Sequence, residues 1–146
     1  MVKRLPLKIF VETFKYVPRV ALNLLVEDTE GRVLLAKRAI PPQIGSWHMP
    51  GSYLRKGEHL LDCLRRVARD ELGLNLHEKL ELVGVFEDIE WDPRGHIIDI
   101  VYKMKERGGK SFSPTTNQTK EVRLFDKLPS NIGFNHKDTL EKLGYR

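Results

Sequence analysis

Apolar positions along the chain fall into runs with two different spacings. Residues 20–27 form a strongly apolar run, residues 28–31 have turn chemistry, and residues 33–36 are apolar again. Two such runs about a short polar turn predict a β-hairpin. Pro41, Pro42 and Gly45 mark a loop. Trp47 and Met49 then alternate with Ser46 and His48, which predicts a short strand ending at Pro50-Gly51. Residues 52–57 read as a second loop. Residues 80–89 and 96–104 predict a strand pair about a tight turn at Asp92-Pro93-Arg94-Gly95. Residues 108–118 are polar and glycine-containing, a loop, and residues 121–125 predict a further strand. Helical spacing appears in three places. The strongest is 58–72, stopped by Gly73. Residues 6–14 predict a short helix started by Pro6, with a strand as the alternative, before Pro18 breaks the chain. Asn135 is placed to cap a last helix running to Leu143 and closed by Gly144. Strands mixed with two or three helices indicate an α/β or α+β chain. No repeat or linker divides it, so one domain is expected over 1–146, with 1–18 as a helical lead-in.

Composition narrows the function classes. Of 146 residues, 40% are hydrophobic and 31% charged, as in globular rather than disordered chains. No apolar run is long enough to span a bilayer. Lys8, Glu12 and Lys15 interrupt the apolar N-terminal residues, so no secretory signal is expected. The lone Cys63 excludes an intrachain disulfide and a cysteine-rich zinc site, and fits a reducing cytoplasm. The net charge of +5 would suit an anionic partner. Lys3, Arg4, Lys8, Lys37, Arg38, Arg65, Arg66 and Lys105 are scattered, however, and no nucleic-acid-binding motif organises them. A negatively charged small molecule is the better-matched partner.

Projected on a helix at about 100° per residue, Leu60, Leu64, Val67, Ala68 and Leu72 share one face. Glu71 projects into the middle of that apolar arc, and Asp70 lies near its edge. A buried carboxylate needs a partner. It reaches water where the helix frays near Gly73, or a cationic side chain satisfies it, or it binds a divalent cation. Helix geometry alone favours the first two. The residues in front of the helix favour the third: Gly51 and Gly57 frame a short loop, and Glu58 opens the helix, so carboxylates and loop carbonyls converge as hard oxygen ligands.

Residues 51–74 resemble the Nudix box, Gly-x₅-Glu-x₇-Arg-Glu-U-x-Glu-Glu-x-Gly-U, where U is aliphatic. Glu58, Arg66, Glu71, Gly73 and Leu74 match it. Asp70 replaces a Glu with its charge intact, and Ala68 stands at the first aliphatic position. Ser52 replaces the leading Gly, although Gly51 precedes it, and Val67 replaces the Glu after the Arg. The resemblance implies an α/β/α sandwich about a mixed β-sheet. It also implies hydrolysis of nucleoside diphosphates linked to another moiety, with Mg²⁺ or Mn²⁺ held by box carboxylates. Arg66 would orient a box carboxylate, with Glu58 as partner; an exposed helix arginine is the plainer reading.

The GDP-mannose mannosyl hydrolase branch of that family also lacks the Glu at Val67. The chain is similar to that branch at residues 20–23, 26–27, 34–38, 45–47, 50–51 and 71–74. The branch's metal ligands fall on Gly51, Glu71 and Gln118, and its diphosphate-assisting arginine on Arg38. Its catalytic histidine falls on Thr119, its assisting aspartate on Asn23 and its second arginine on Tyr53. Threonine cannot act as a base at neutral pH. Water attack at phosphorus is therefore expected at least as much as the branch's attack at sugar carbon. Catalysis is expected from Glu71, Asp70, Glu58 and Arg66, metal binding from Gly51, Glu71, Asp70 and Gln118, and substrate binding from Arg38 and Tyr53. Glu87, Asp88, Glu90 and Glu121 are the alternatives for a base. His48, His59, His77, His96 and His136 read as ordinary surface or core histidines. The branch also implies a homodimer. The competing reading is a Nudix-fold module that binds an anionic nucleotide without turnover.

Overall fold

A computed structural model describes residues 2–76, 79–106 and 111–146; His77 lies outside them. The elements are α1 (Leu7–Thr13), β1 (Arg19–Asp28), β2 (Val33–Arg38), β3 (Trp47–His48), β4 (Gly51–Tyr53), α2 (Leu60–Leu72), β5 (Glu81–Asp88), β6 (Ile97–Glu106), β7 (Thr119–Phe125) and α3 (His136–Lys142). β1 is the axis of a mixed sheet. It runs parallel to β6 from Arg19↔Ile97 to Asp28↔Glu106, and antiparallel to β4 at Ala21↔Tyr53 through Asn23↔Gly51. Its hairpin with β2 closes at Glu27↔Val33. β2 pairs with both β3 and β7, while β5 pairs antiparallel with β6.

The near-continuous apolar run of β1 is explained by burial on both sheet faces. Leu22, Leu24 and Val26 point to one side, where they meet Cys63, Leu64, Val67, Ala68 and Leu72 of α2. Leu25 points to the other, among Leu35, Trp47, Met49, Val101 and Leu140 of α3. The result is the α/β/α sandwich about a mixed sheet. Among the described residues, no helix is long and apolar enough to cross a membrane.

The end of α2 is firmly finished. Gly73 takes the left-handed conformation (φ 67°), and the N–H groups of Gly73 and Leu74 donate to Arg69 O and Ala68 O. The loop before β7 satisfies further helix carbonyls: Ser113 N–H donates to Leu72 O (3.1 Å) and Thr115 N–H to Asp70 O (2.8 Å). The turn that carries Asp70 and Glu71 therefore does not fray.

Four expectations change. Residues 51–53 are a strand, β4, rather than a strand end and loop, because Gly51 to Tyr53 complete a ladder with β1. Glu58 does not open the helix, which starts at Leu60 behind His59; its carboxylate is drawn into the preceding loop instead. Asn135 stands at the N-cap of α3 but makes no side-chain cap bond; its Nδ2 donates to Glu87 O (3.1 Å) instead. The β5–β6 connection is a loop over 89–96 rather than a tight turn, and Asp88 organises it by accepting the N–H groups of Trp91 (2.8 Å) and Asp92 (3.1 Å).

Leu64 is fully buried between α2 and β1. Leu64→Ala should cost about 2–5 kcal/mol of folding stability, measured as a lower urea midpoint with an unchanged slope.

Candidate active site

The approach to α2 is held by Arg66. Its Nε and Nη2 donate to Glu58 Oε2 (3.0 Å) and Oε1 (2.9 Å), Nη1 donates to Ser52 Oγ (2.8 Å), and Nη2 also donates to Tyr53 O (3.0 Å). Arg55 N–H donates to Glu58 Oε1 at 3.1 Å. Both side chains of the pair are largely buried, 11% and 7% exposed, so Arg66 is not the exposed helix arginine of the plainer reading. Burial works to raise the Glu58 pKa, but the bonds from Arg66 and Arg55 outweigh it and hold the carboxyl below its ordinary value. With both oxygens engaged, Glu58 clamps the 52–58 loop onto α2.

Glu71 is in the opposite situation. Its Oε2 accepts one N–H, from Gly51 at 3.3 Å, and no ion pair reaches it among the described residues. Burial pushes its carboxyl up to about 8, against the lowering effects of the Gly51 bond and the Arg38 charge. Gly51 must be glycine here, since a Cβ would collide with the side-chain oxygen of Asn23. Asp70, one residue earlier, is 40% exposed and accepts Arg69 Nε at 3.0 Å. Val67, at the position of the missing Glu, is 1% exposed and packs in the α2–β1 core.

Arg38 ends β2 opposite Thr119. Its Nε donates to Pro42 O (2.7 Å) and its Nη2 to Pro41 O (3.0 Å), and its guanidinium lies 5.2 Å from the Phe134 ring centroid. Gln118 adjoins it through the backbone: Ala39 N–H donates to Gln118 O at 2.9 Å. Tyr53 is packed edge-on against Phe10 (5.1 Å) and Phe14 (5.5 Å) of the N-terminal segment, and burial raises its hydroxyl pKa.

Three neighbours were not singled out from sequence. Asp99 of β6 accepts Asn23 Nδ2 at 2.8 Å, so a carboxylate stands one strand away from where the mannosyl hydrolase branch has its aspartate. Burial pushes Asp99 up to about 6, and the charges of Asp88 and Asp92 act the same way. The visible signal was a lone carboxylate inside the apolar run 97–101. Arg94 reaches the site from the 89–96 loop, 5.2 Å from the Tyr53 ring and 5.4 Å from Phe134. Neither Arg94 nor Phe134 carries a sequence signal, because loop packing brings them together.

The other base candidates are engaged or remote in their bonding. Asp88 is buried in its loop bonds, Glu87 faces His96 (3.7 Å), and Glu121 pairs with Arg123 (3.0 Å). Glu90 is exposed on the 89–96 loop. His48 and His136 are buried and kept neutral, burial pushing them down to about 4 and about 3. His136 Nδ1 accepts Met49 N–H at 3.0 Å, a structural bond. His59 precedes α2 as its N-cap residue.

The comparisons with known proteins agree with this arrangement. A family model described as the NUDIX domain matches residues 17–141. An ADP-ribose pyrophosphatase from Methanocaldococcus jannaschii is 31% identical over 126 residues, 85% of this chain and 72% of that protein. A MutT NUDIX hydrolase from Burkholderia pseudomallei superposes with a TM-score of 0.76 at 25% identity, covering 87% of this chain and 98% of that one. A bifunctional NMN adenylyltransferase/ADP ribose pyrophosphatase from Francisella tularensis, solved with AMP and a Mn ion, superposes at 0.71. It is 18% identical and covers 93% of this chain and 46% of that one, a likeness of fold. With the α/β/α fold, the Arg66–Glu58 clamp and the half-buried Glu71 in place, the chain belongs to the NUDIX family and is a Nudix-type hydrolase.

Proposed function

We propose that the chain hydrolyses the diphosphate of an ADP-ribose-like nucleoside diphosphate derivative, by attack of water at phosphorus, with Mg²⁺ or Mn²⁺ as cofactor. The observation that carries this is Glu71: a half-buried carboxylate beside the Gly51 backbone with one long hydrogen bond and no counter-ion among the described residues. Leaving such a group uncompensated is costly, and a hard cation removes the cost.

The residues present fit an ion held with few protein ligands. No cluster of three or more His, Cys, Asp or Glu side chains suited to a metal occurs among the described residues. Mg²⁺ keeps several waters and takes oxygens from substrate, so it needs few protein ligands. Glu71 and the Gly51 carbonyl would hold it, with Asp70 and Gln118 at the margin. Such an ion offsets charge on diphosphate oxygens and lowers the pKa of bound water. Arg66 and Glu58 fix the loop that presents Gly51, and Arg38 places a positive charge beside the leaving phosphate. An adjacent groove lined by Ile44, Trp91, Ile132 and Phe134 offers apolar surface to the base or sugar beyond the diphosphate.

Attack at phosphorus is favoured over the mannosyl-hydrolase reaction because Thr119, at the position of that branch's histidine, is buried and cannot take a proton at neutral pH. The ADP-ribose pyrophosphatase relative supports the same reading.

Turnover of ADP-ribose with Mg²⁺ should release AMP and ribose 5-phosphate. In ¹⁸O-water the label should enter phosphate; label at the sugar carbon, or no Mg²⁺-dependent product, would overturn the proposal. Glu71→Gln should lower kcat by at least about 100-fold, or about 2.7 kcal/mol of barrier.

The Glu71 pKa predicts a pH-dependent metal effect. Its folded value is raised above its ordinary 4.5, so the metal-free fold prefers the protonated form. The stabilising contribution of that proton is complete below about 4.5 and is lost as pH rises through about 8. Mg²⁺ must displace the proton, so it binds more tightly as the carboxyl ionises. The Mg²⁺-induced rise in Tm should therefore grow between pH 6 and pH 8.5, and should vanish in Glu71→Gln. A rise independent of pH would separate the metal from Glu71.

A further inference from the structure

We propose that Arg94 is the second guanidinium of a two-arginine clamp on the substrate diphosphate, with Phe134 as the shared platform that positions Arg38 and Arg94. The assignment of the substrate rests on the function proposed above; the convergence of the two arginines does not.

Arg38 arrives from the end of β2 and Arg94 from the 89–96 loop, and the two are held alike. Arg94 is tied by its Nε and Nη2 to Asp92 Oδ1 (3.0 Å) and Oδ2 (2.8 Å), as Arg38 is tied by its Nε and Nη2 to Pro42 O and Pro41 O. In both, Nη1 has no hydrogen-bond partner among the described residues. Each guanidinium is thus oriented by two bonds and keeps donors for a ligand, the fork geometry that suits phosphate oxygens. Both lie over Phe134, at 5.2 Å and 5.4 Å from its centroid, while Arg94 also lies over Tyr53 and, at 5.7 Å, Phe14.

Like charges do not share one ring without cause. Asp92 compensates Arg94, but Arg38 is bonded only to neutral carbonyls, so the pair retains positive charge. Burial and then the Arg94 charge lower the Arg38 pKa, whereas the Asp92 bond raises that of Arg94 against its burial. A bound anion relieves that repulsion.

Phe134 is itself held in a costly conformation. Its φ of 56° lies in the left-handed region, which an aromatic residue rarely adopts. Gln43, also at positive φ (61°), secures it by accepting Phe134 N–H on Oε1 at 2.9 Å. Two strained non-glycine residues bonded to one another, and placing one ring under two arginines, mark a position maintained for a ligand. The sequence resemblance assigned the second arginine's place to Tyr53. Here Tyr53 is instead part of the surface on which Arg94 rests, so the charge returns from another loop.

The test is calorimetric binding of inorganic pyrophosphate and of orthophosphate in metal-free buffer, which is independent of turnover. The parent should bind pyrophosphate at least about tenfold more tightly than orthophosphate. Arg94→Met, which keeps the side-chain stem, should weaken pyrophosphate binding by about 10–100-fold, and Arg38→Met by a similar factor, the loss expected for a charged hydrogen bond. Arg94→Lys, which retains charge without the fork, serves where the Met variant does not fold and should weaken binding about tenfold. Phe134→Leu should lose pyrophosphate affinity with both arginines present, and Phe134→Tyr, which keeps the ring, should bind as the parent does. Pyrophosphate affinity within twofold of the parent in folded Arg94→Met, or in Arg94→Lys in its place, would overturn the clamp. So would a parent that does not distinguish the two anions. Failure of ADP-ribose turnover with the clamp intact would instead count against the proposed reaction.

Discussion

The packing of α2 on β1 is the constraint on which the site depends. Cys63, Leu64, Val67, Ala68 and Leu72 are buried against Leu22, Leu24 and Val26, and this fixes the rotation of the helix about its own axis. At that rotation Glu71 is half-buried, and its carboxylate is delivered to the backbone of Gly51 on the neighbouring strand. β1 matters twice, since its other edge carries Gly51 in register with Asn23, where the absence of a Cβ lets the two chains approach. The ordered finish of the helix at Gly73, with Ser113 and Thr115 capping its carbonyls, removes the remaining freedom.

Two carboxylates from the same short segment illustrate how bonding rather than burial alone decides a role. Glu58 is more sheltered by its partners than by the core: three hydrogen bonds donated by Arg66 and Arg55 keep it ionised and committed. Its work is mechanical, tying a loop to a helix. Glu71 has one backbone donor and a distant arginine, and burial dominates. A group left in that state binds either a proton or a cation, and which one it takes depends on pH. The same distinction applies to Asp99, whose bond from Asn23 only partly offsets its burial.

The arginines show a complementary logic. Their charges are assembled where β2 ends at Arg38 and by the 89–96 loop, beside Phe134. Asp88 and Asp92 shape that loop through backbone N–H bonds before Asp92 takes Arg94. Helix α2 supplies the carboxylates Asp70 and Glu71, and a strand end and a loop supply the cationic side. Loops can vary in sequence without disturbing the core.

Much of this was legible in the sequence. The spacing of Leu60, Leu64, Val67, Ala68 and Leu72 located α2 and singled out Glu71, and the box residues Glu58, Arg66 and Gly73 identified the family, because helical periodicity and motif spacing are local properties. The hairpin and the paired strands followed from the same kind of pattern, and the layered fold from the family resemblance. The tertiary structure decided what depends on distant partners. Strand β4 exists because β1 offers it a ladder, Asn135 turns its Nδ2 to Glu87 O, and Phe134 meets Arg38 across more than 90 residues of chain and Arg94 across 40. The sequence by itself determined which carboxylate would point toward the apolar face of α2. Only the fold decided that no side-chain cation among the described residues pairs with it, because counter-ions and cation platforms are set by packing between segments, and no spacing along the chain encodes that.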